Sequence, residues 1–282
     1  MGFVKTIDVA ITGTCNLRCK FCWGVPHEMG SPLATGEWEV ILSNLYRFGV
    51  RRLVISGGEP LLRNDLPELL AYARSLGFRI TLSTNAILFM ARGKQLLHLL
   101  DEIGIPIDGH DEESSATMRV GTPVQFKSAI GAIKYIRENN KNIHLTIRTV
   151  ATKLNHKSLV KIGNLITELS LNPNRWKIYQ FSPVSYGEKS RDKFYLTENE
   201  FNEIGAQVLS ENKNINIELF PIPRTGGRYV FLMPDGRLST IADFRYNDLG
   251  DFLHSPDETI TSFNKFASKR EDYVENNIHG IV

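Results

Sequence analysis

Through residue 182, short apolar runs alternate with amphipathic stretches, the pattern of repeated strand–helix units. An apolar run at residues 4–11 reads as a first strand that leads into a glycine- and cysteine-rich loop. Residues 37–48 place Val40, Ile41, Leu45 and Phe48 at helical spacing and stop at Gly49. Residues 53–55 form a short buried strand. Asp65, with Glu68 three residues on, has the form of a capping box; Leu66, Leu69, Leu70, Ala73 and Leu76 then line one helix face before Gly77 ends it. The pattern continues with a strand at 78–82, a helix at 91–100, a strand at 103–108 and a helix at 126–137 with Ile130, Ile133 and Ile136 inward. Residues 143–150 alternate, with Ile143, Leu145 and Ile147 on one face and His144, Thr146 and Arg148 on the other. A helix at 158–169 and a sixth strand at 176–181 follow. Six such units with right-handed crossovers make a parallel sheet that curls without closing, a partial α/β barrel.

Beyond Pro183 the rhythm changes. Residues 187–195 read as a polar surface loop, and 196–209 as a helix with Thr197 a candidate cap. Short β-like runs at 215–220 and 229–233 follow, with Pro234-Asp235-Gly236 turning the chain into 237–241. The expected division is a core at 1–182 and a small α+β extension at 183–282 that caps the barrel and contributes to the substrate site.

Composition narrows the function. The 282 residues carry 33 basic and 31 acidic side chains, a net charge of +2, and 42% are hydrophobic. This excludes a disordered chain and leaves little attraction for a nucleic acid polymer or an anionic membrane. No stretch of 18 apolar residues spans a bilayer. The first residues lack the form of a signal peptide; they match a loose myristoylation pattern at Gly2, but read better as the start of a buried strand. Three cysteines, Cys15, Cys19 and Cys22, stand close together with none after them, which is no disulfide framework. The expectation is a reducing, cytoplasmic protein.

Those cysteines form a C-x3-C-x2-C run directly after the first strand. Three soft thiolates on one tight loop suit three corners of a cubane iron–sulfur cluster, leaving one iron open to a small molecule. A structural zinc with His27 as fourth ligand fits the same spacing. The second strand ends in Gly57-Gly58-Glu59-Pro60. Parallel neighbours bring the two loops together at the C-terminal end of the sheet, where the glycines let backbone approach a ligand and Glu59 can accept from a cationic amine.

The cysteine loop with Phe21 before its last cysteine, and Gly-Gly-Glu-Pro after the second strand, resemble the radical S-adenosylmethionine (radical SAM) superfamily over residues 4–182. The resemblance implies a partial (βα)6 TIM-like barrel with the C-terminal α+β extension. It implies that Cys15, Cys19 and Cys22 hold a [4Fe–4S] cluster whose free iron is chelated by S-adenosylmethionine. Gly57, Gly58 and Glu59, with Pro60, would hold the ligand's amine. Ser83 and Asn85 would contact ribose and carboxylate, Phe21 and Trp23 would lie near the adenine, and Arg119 would meet the carboxylate or ribose. Residues 105–109 read Ile-Pro-Ile-Asp-Gly where many relatives have Ser-Leu-Asp-Gly; Pro106 removes a serine contact and leaves Asp108 as a ligand contact or a loop-capping carboxylate. Asp111-Glu112-Glu113 reads as a solvated helix start. The implied chemistry is reductive cleavage to a 5′-deoxyadenosyl radical that abstracts hydrogen, with an external one-electron donor such as flavodoxin or ferredoxin.

The absence of later cysteines argues against auxiliary clusters, and so against peptide maturation, as does the lack of a leader-binding extension; the length of the C-terminal addition argues against glycyl-radical activation. Residues 171–180 are similar to a strand of viperin, a radical enzyme acting on cytidine triphosphate. This likeness implies anion contacts from Arg175 and Lys177, on one face with Tyr179 and Phe181; Arg148 on the preceding strand and Tyr179 are further candidate substrate contacts. Interstrand salt bridging is the other role open to Arg175 and Lys177. Where viperin has Lys-Ile-Asn, this chain has Thr146-Ile147-Arg148, so the phosphate contacts differ. Arg224, Arg228, Arg237 and Arg245 are further candidate anion contacts. The expected substrate is a polar small molecule, nucleotide-like or phosphorylated; peptide modification and a zinc-stabilised binding module are the alternatives.

Overall fold

A computed structural model describes residues 3–120, 124–222 and 229–268. Arg224 and Arg228 lie outside the described residues. Six parallel strands, β1 (Thr6–Ala10), β2 (Arg52–Ser56), β3 (Arg79–Ser83), β4 (Glu102–Pro106), β5 (His144–Ala151) and β6 (Arg175–Gln180), pair in sequence order. The sheet does not stop there. The strand β7 (Ile217–Phe220) adds in parallel to β6, and β8 (Val230–Leu232) adds in parallel to β1 at the other side. A hairpin of β9 (Arg237–Ala242) and β10 (Arg245–Asp251) continues antiparallel from β8, giving ten strands among the described residues in one open sheet. The extension therefore lengthens the barrel wall at both edges.

Helices α1 (Thr35–Arg47), α2 (Leu66–Ser75), α4 (Gln125–Asn139) and α5 (Leu159–Glu168) cover the outside, with the short α3 (Glu112–Met118) ahead of α4. Their apolar faces meet alternate strand residues, among them Val9, Ile55, Leu82, Ile103, Ile147, Trp176 and Ile178, in one continuous core. The intervening strand positions face inward. They include Asp8, Ser56, Thr81, Ser83, Glu102, Thr146, Arg148, Arg175, Lys177 and Tyr179, beside Ala10, Val54, Gly104, Pro106 and Val150. An ordinary closed barrel fills its interior with branched apolar side chains; this one sets charged and hydroxyl side chains among the apolar ones, as a binding chamber does.

Four expectations change in detail. Residues 91–100 are not a regular helix: a wide turn at Phe89–Gly93 passes into tighter turns at Lys94–Leu99, with Gly93 set against the Phe89 ring. Asp65 does not cap α2 through its side chain, because Arg63 (2.6 Å) and Thr35 (2.8 Å) take its carboxylate. The stretch after Val184 is turns and a short α6 (Arg191–Phe194) rather than open loop. Strand β10 and helix α8 (Pro256–Ala267) close the described chain beyond the elements read from sequence. Thr197 does cap α7 (Glu198–Glu211), in a reciprocal pair with Glu200, and Asp111 caps α3 by accepting from the Ser114 N–H at 2.8 Å. Among the described residues no helix is long and apolar enough to cross a membrane.

Candidate active site

The C-terminal ends of the strands surround a cavity of about 470 Å³, within the range of small-molecule sites. Cys15, Cys19 and Cys22 all line it. Around them Leu17, Phe21, Met118, Phe181 and Phe194 form a separate apolar cluster. Burial pushes the Cys19 thiol up to about 11 and raises Cys15 and Cys22 as well, so charged thiolates there require a positive partner. The backbone N–H groups of Leu17 and Gly24 point at the sulfurs of Cys15 (3.4 Å) and Cys22 (3.3 Å). Among the described residues no three His, Cys, Asp or Glu side chains converge on a point that holds one metal ion. His27 instead lies against the Tyr186 ring, at 4.9 Å between centroids.

The glycine turn is fixed by its neighbour loop. A Cβ on Gly57, where φ is +127°, would sit 2.2 Å from the Thr12 carbonyl oxygen, and one on Gly58 would sit 2.2 Å from that of Thr14. The Gly58 N–H donates to Thr12 O at 2.6 Å and the Glu59 N–H to Thr14 O at 2.8 Å. These glycines are thus demanded by the packing of the two loops on each other; both still line the cavity. Glu59 is fully buried and accepts from Thr84 Oγ1 (2.6 Å), the Asn85 N–H (2.7 Å) and the Leu61 N–H (3.1 Å), clasping the ends of β2 and β3. Its carboxyl lies behind the lining, and Pro60 opens the tight turn after it.

Asn85 lines the cavity and donates to Asn16 on the cysteine loop at 2.7 Å; Ser83 also lines it and accepts from Arg148 Nη1 at 2.8 Å. Arg119 reaches the cavity beside Phe21, its guanidinium carbon 5.4 Å from the ring centre. Asp108 is fully buried and holds Arg119 Nε at 2.6 Å while accepting the Val150 N–H at 2.8 Å, so it meets the cavity only through Arg119. Trp23 lines the cavity and packs on Tyr229 and Phe231, at 5.6 and 5.2 Å between centroids.

The four candidate substrate contacts divide. Arg148 and Tyr179 line the cavity. Arg175 lies deeper, where its Nη2 grips Glu102 at 2.8 and 2.9 Å and its Nη1 approaches Glu218 at 3.7 Å. Of the two roles open to it, the geometry gives salt bridging. Lys177 is fully buried against Phe220, its Nζ 5.3 Å from the ring centre, and burial with the neighbouring Arg175 and Arg148 charges lowers it to about 7. Arg237 pairs with Asp248 on the hairpin surface, and Arg245 is exposed.

Sequence reading missed Asp8, Ser56, Tyr246 and Phe244 as lining residues. Asp8 carried a signal, being the single carboxylate in an apolar strand; Tyr246 and Phe244 carried none. The extension is tied to the cysteine loop by backbone contacts. Tyr246 Oη donates to Trp23 O, Ser185 Oγ donates to Gly24 O (2.9 Å), the Gly187 N–H reaches Cys22 O (3.3 Å), and Tyr186 Oη accepts the His27 N–H (2.8 Å).

A partial barrel whose mouth holds three cysteines lining one cavity beside a glycine turn is the architecture of a cofactor-dependent α/β-barrel enzyme. The Radical SAM superfamily model matches residues 9–166, more than half the chain, and the chain belongs to that superfamily. Its cofactors are a [4Fe–4S] cluster and S-adenosylmethionine. It is 27% identical over 251 residues to the S-adenosylmethionine-dependent nucleotide dehydratase of Lacinutrix mariniflava, covering 83% of this chain and 50% of that protein. It is 34% identical over 155 residues to the probable GTP 3',8-cyclase of Methanococcus maripaludis, covering 54% of this chain and 48% of that protein. The chain thus spans about half the length of these curated relatives. The solved structure of anSMEcpe with bound AdoMet superposes with a TM-score of 0.72 at 16% identity, over 93% of this chain and 82% of that one. Streptococcus suis SuiB bound to its precursor peptide SuiA gives 0.71 at 17% identity, over 90% and 65%. Both structures share the fold; the relatives do not single out the viperin likeness of the second half.

Proposed function

We propose that this radical SAM enzyme abstracts hydrogen from a nucleotide-like small molecule bound inside the barrel. The observation that carries this reading is the match to a nucleotide dehydratase over 83% of the chain, which extends past the cofactor-binding half into the C-terminal extension. Arg148, a guanidinium at the cavity wall, supports it. When bound, the cluster and S-adenosylmethionine supply a 5′-deoxyadenosyl radical. Cys15, Cys19 and Cys22 would hold the cluster. Gly57, Gly58, Ser83, Asn85 and Arg119 would seat S-adenosylmethionine, with Glu59 and Asp108 setting the loops that carry these contacts. Phe21 and Trp23 would wall the adenine. Residues beyond 182, including Val184, Ile222, Phe231 and Phe244, line the same cavity and would exclude water from it. An external one-electron donor starts the reaction.

The test is anaerobic. The brown, reconstituted protein should hold about four irons and sulfides per chain and form 5′-deoxyadenosine when reduced with dithionite. Added singly, at least one ribonucleoside triphosphate should raise that formation well above the uncoupled rate. Stimulation by a peptide pool and by no nucleotide would overturn the substrate reading, and about one zinc with no sulfide would overturn the cofactor assignment.

A further inference from the structure

Inside the barrel, three side chains present buried polar atoms that have no hydrogen-bond partner among the described residues. They are Asp8 Oδ2, the Nε and Nη2 of Arg148, and the Tyr179 hydroxyl. All three side chains line the cavity described above. Native proteins pair almost all their buried polar groups, so three unpaired groups on side chains that line one space mark the place of a ligand. The remaining atoms of two of them are already anchored. Ser56 Oγ donates to Asp8 Oδ1, and Arg148 Nη1 donates to Ser83 at 2.8 Å. What is left is directional: one carboxyl oxygen, and the Nε–Nη2 edge of a guanidinium, the edge that receives two oxygens of a carboxylate or phosphate side by side. Gly104 makes room for that edge, since a Cβ there would fall 2.3 Å from Arg148 Cζ.

The group meets the proposed S-adenosylmethionine contacts at one point, the Arg148 bond to Ser83 at the end of β3; the other contacts sit on the loops after β1, β2 and β3 and around Arg119. Asp8 lies within β1, below its loop, and Arg148 and Tyr179 stand on β5 and β6 across the barrel. Tyr179 is stacked on Phe220 at 4.9 Å, which fixes its ring. Around Asp8 stand Ser56 on β2, Arg148 on β5, Tyr229 ahead of β8 and Tyr246 on β10.

We propose that Asp8, Arg148 and Tyr179 are the floor that reads the substrate by two opposite polarities. Arg148 and Tyr179 take its anionic oxygens, and Asp8 Oδ2 accepts a hydrogen bond from a hydroxyl or amino group of the same molecule. The assignment rests on the nucleotide reading above, in which phosphate supplies the anion and the sugar or base supplies the donor. Burial lifts the Asp8 carboxyl to about 7 against the opposing pull of Ser56 and Arg148, so the titrations are run above that value, where Oδ2 is an acceptor.

The experiment titrates the cluster-loaded full chain, with S-adenosylmethionine present, by calorimetry under argon. The probes are inorganic tripolyphosphate, the four ribonucleoside triphosphates and their 2′-deoxy counterparts. Arg148→Gln should weaken tripolyphosphate and the bound nucleotide at least tenfold, and Tyr179→Phe should weaken both several-fold. Asp8→Ala should weaken the nucleotide about tenfold yet tighten tripolyphosphate, which has no donor to lose and is freed of a facing carboxylate. If the 2′-deoxy nucleotide binds wild type as weakly as the ribonucleotide binds Asp8→Ala, the donor is the sugar hydroxyl; if it binds fully, the donor is the base. Either result supports the floor. Asp8→Asn keeps the shape and should still tighten tripolyphosphate should Asp8→Ala fail to hold its cluster. Unchanged nucleotide binding in Asp8→Ala, or unchanged tripolyphosphate binding in Arg148→Gln, overturns the proposal. If no nucleotide binds wild type, the nucleotide reading falls. The floor is then judged on tripolyphosphate alone, where any pattern other than weakening in Arg148→Gln and tightening in Asp8→Ala overturns it.

Discussion

Gly104→Ala tests how the guanidinium of Arg148 is lodged without touching its charge. A Cβ at residue 104 would lie 2.3 Å from Arg148 Cζ, 2.4 Å from Nε and 2.6 Å from Nη2. Carbon atoms in contact stay about 3.5 Å apart or more, so the guanidinium must withdraw by about 1 Å. That motion breaks its 2.8 Å bond to Ser83 and turns the ligand-facing edge away from the cavity. The obstructing group is the end of a flexible side chain, so the fold absorbs the change at about 1–3 kcal/mol, the usual range for overpacking. A lost charge-assisted hydrogen bond is worth about 1.5–3 kcal/mol, or about 10- to 150-fold in affinity. Calorimetric titration with tripolyphosphate should show that loss, while S-adenosylmethionine binding should change less, because among its proposed contacts only Ser83 is bonded to Arg148. A folded Gly104→Ala protein that binds tripolyphosphate like wild type would refute the reasoning.

The remaining predictions are quick to check. Asp8 is raised to about 7 in the folded chain from an ordinary 3.8, so the native state holds the extra proton between those values and its stability should fall as pH rises from about 4 to 7. Asp8→Asn should flatten that part of a melting-temperature profile, and an unchanged slope counts against the shift. Breaking the buried pair with Arg175→Met leaves Glu102 uncompensated and should destabilise the protein by about 3–5 kcal/mol in urea unfolding; a weakened nucleotide affinity at full stability would instead make Arg175 a ligand contact. Asp243 and Phe244 hold φ of +52° and +60° at the tip of the β9–β10 hairpin, a region that favours glycine. Phe244→Gly should therefore raise stability by about 1 kcal/mol and weaken nucleotide binding, since Phe244 lines the cavity. Lower stability would show that its packing outweighs the backbone strain.

Much of the core was legible because strand alternation and helix spacing are set by burial, which a sequence displays directly. Residues 143–150 show this: their apolar set joins the outer core and their polar set turns inward. The cysteine loop and the glycine turn were legible because few chemistries need those residues at that spacing. Arg175 was ambiguous for a physical reason. Period-two alternation gives the face of a side chain and not its depth, and only the register with Glu102 on β4 and Glu218 on β7 distinguishes a salt bridge from an open anion site. Tyr246 and Phe244 stayed hidden because β10 is mostly polar, with exposed Arg245 and Asp248, and it joins the sheet through long-range pairing that local pattern does not encode. Residues 91–100 read as a helix because their apolar residues keep near-helical spacing, while the path changes from a wide turn to tighter turns between Gly93 and Lys94.

The four ties from Tyr246, Ser185, Gly187 and Tyr186 to the backbone of the cysteine loop have a thermodynamic reach. A ligand that steadies the loop steadies, by linkage, every segment bonded to it. Iron loading and the docking of residues 185–187 and Tyr246 are then coupled equilibria, so that metal supply should raise the protease resistance of those segments.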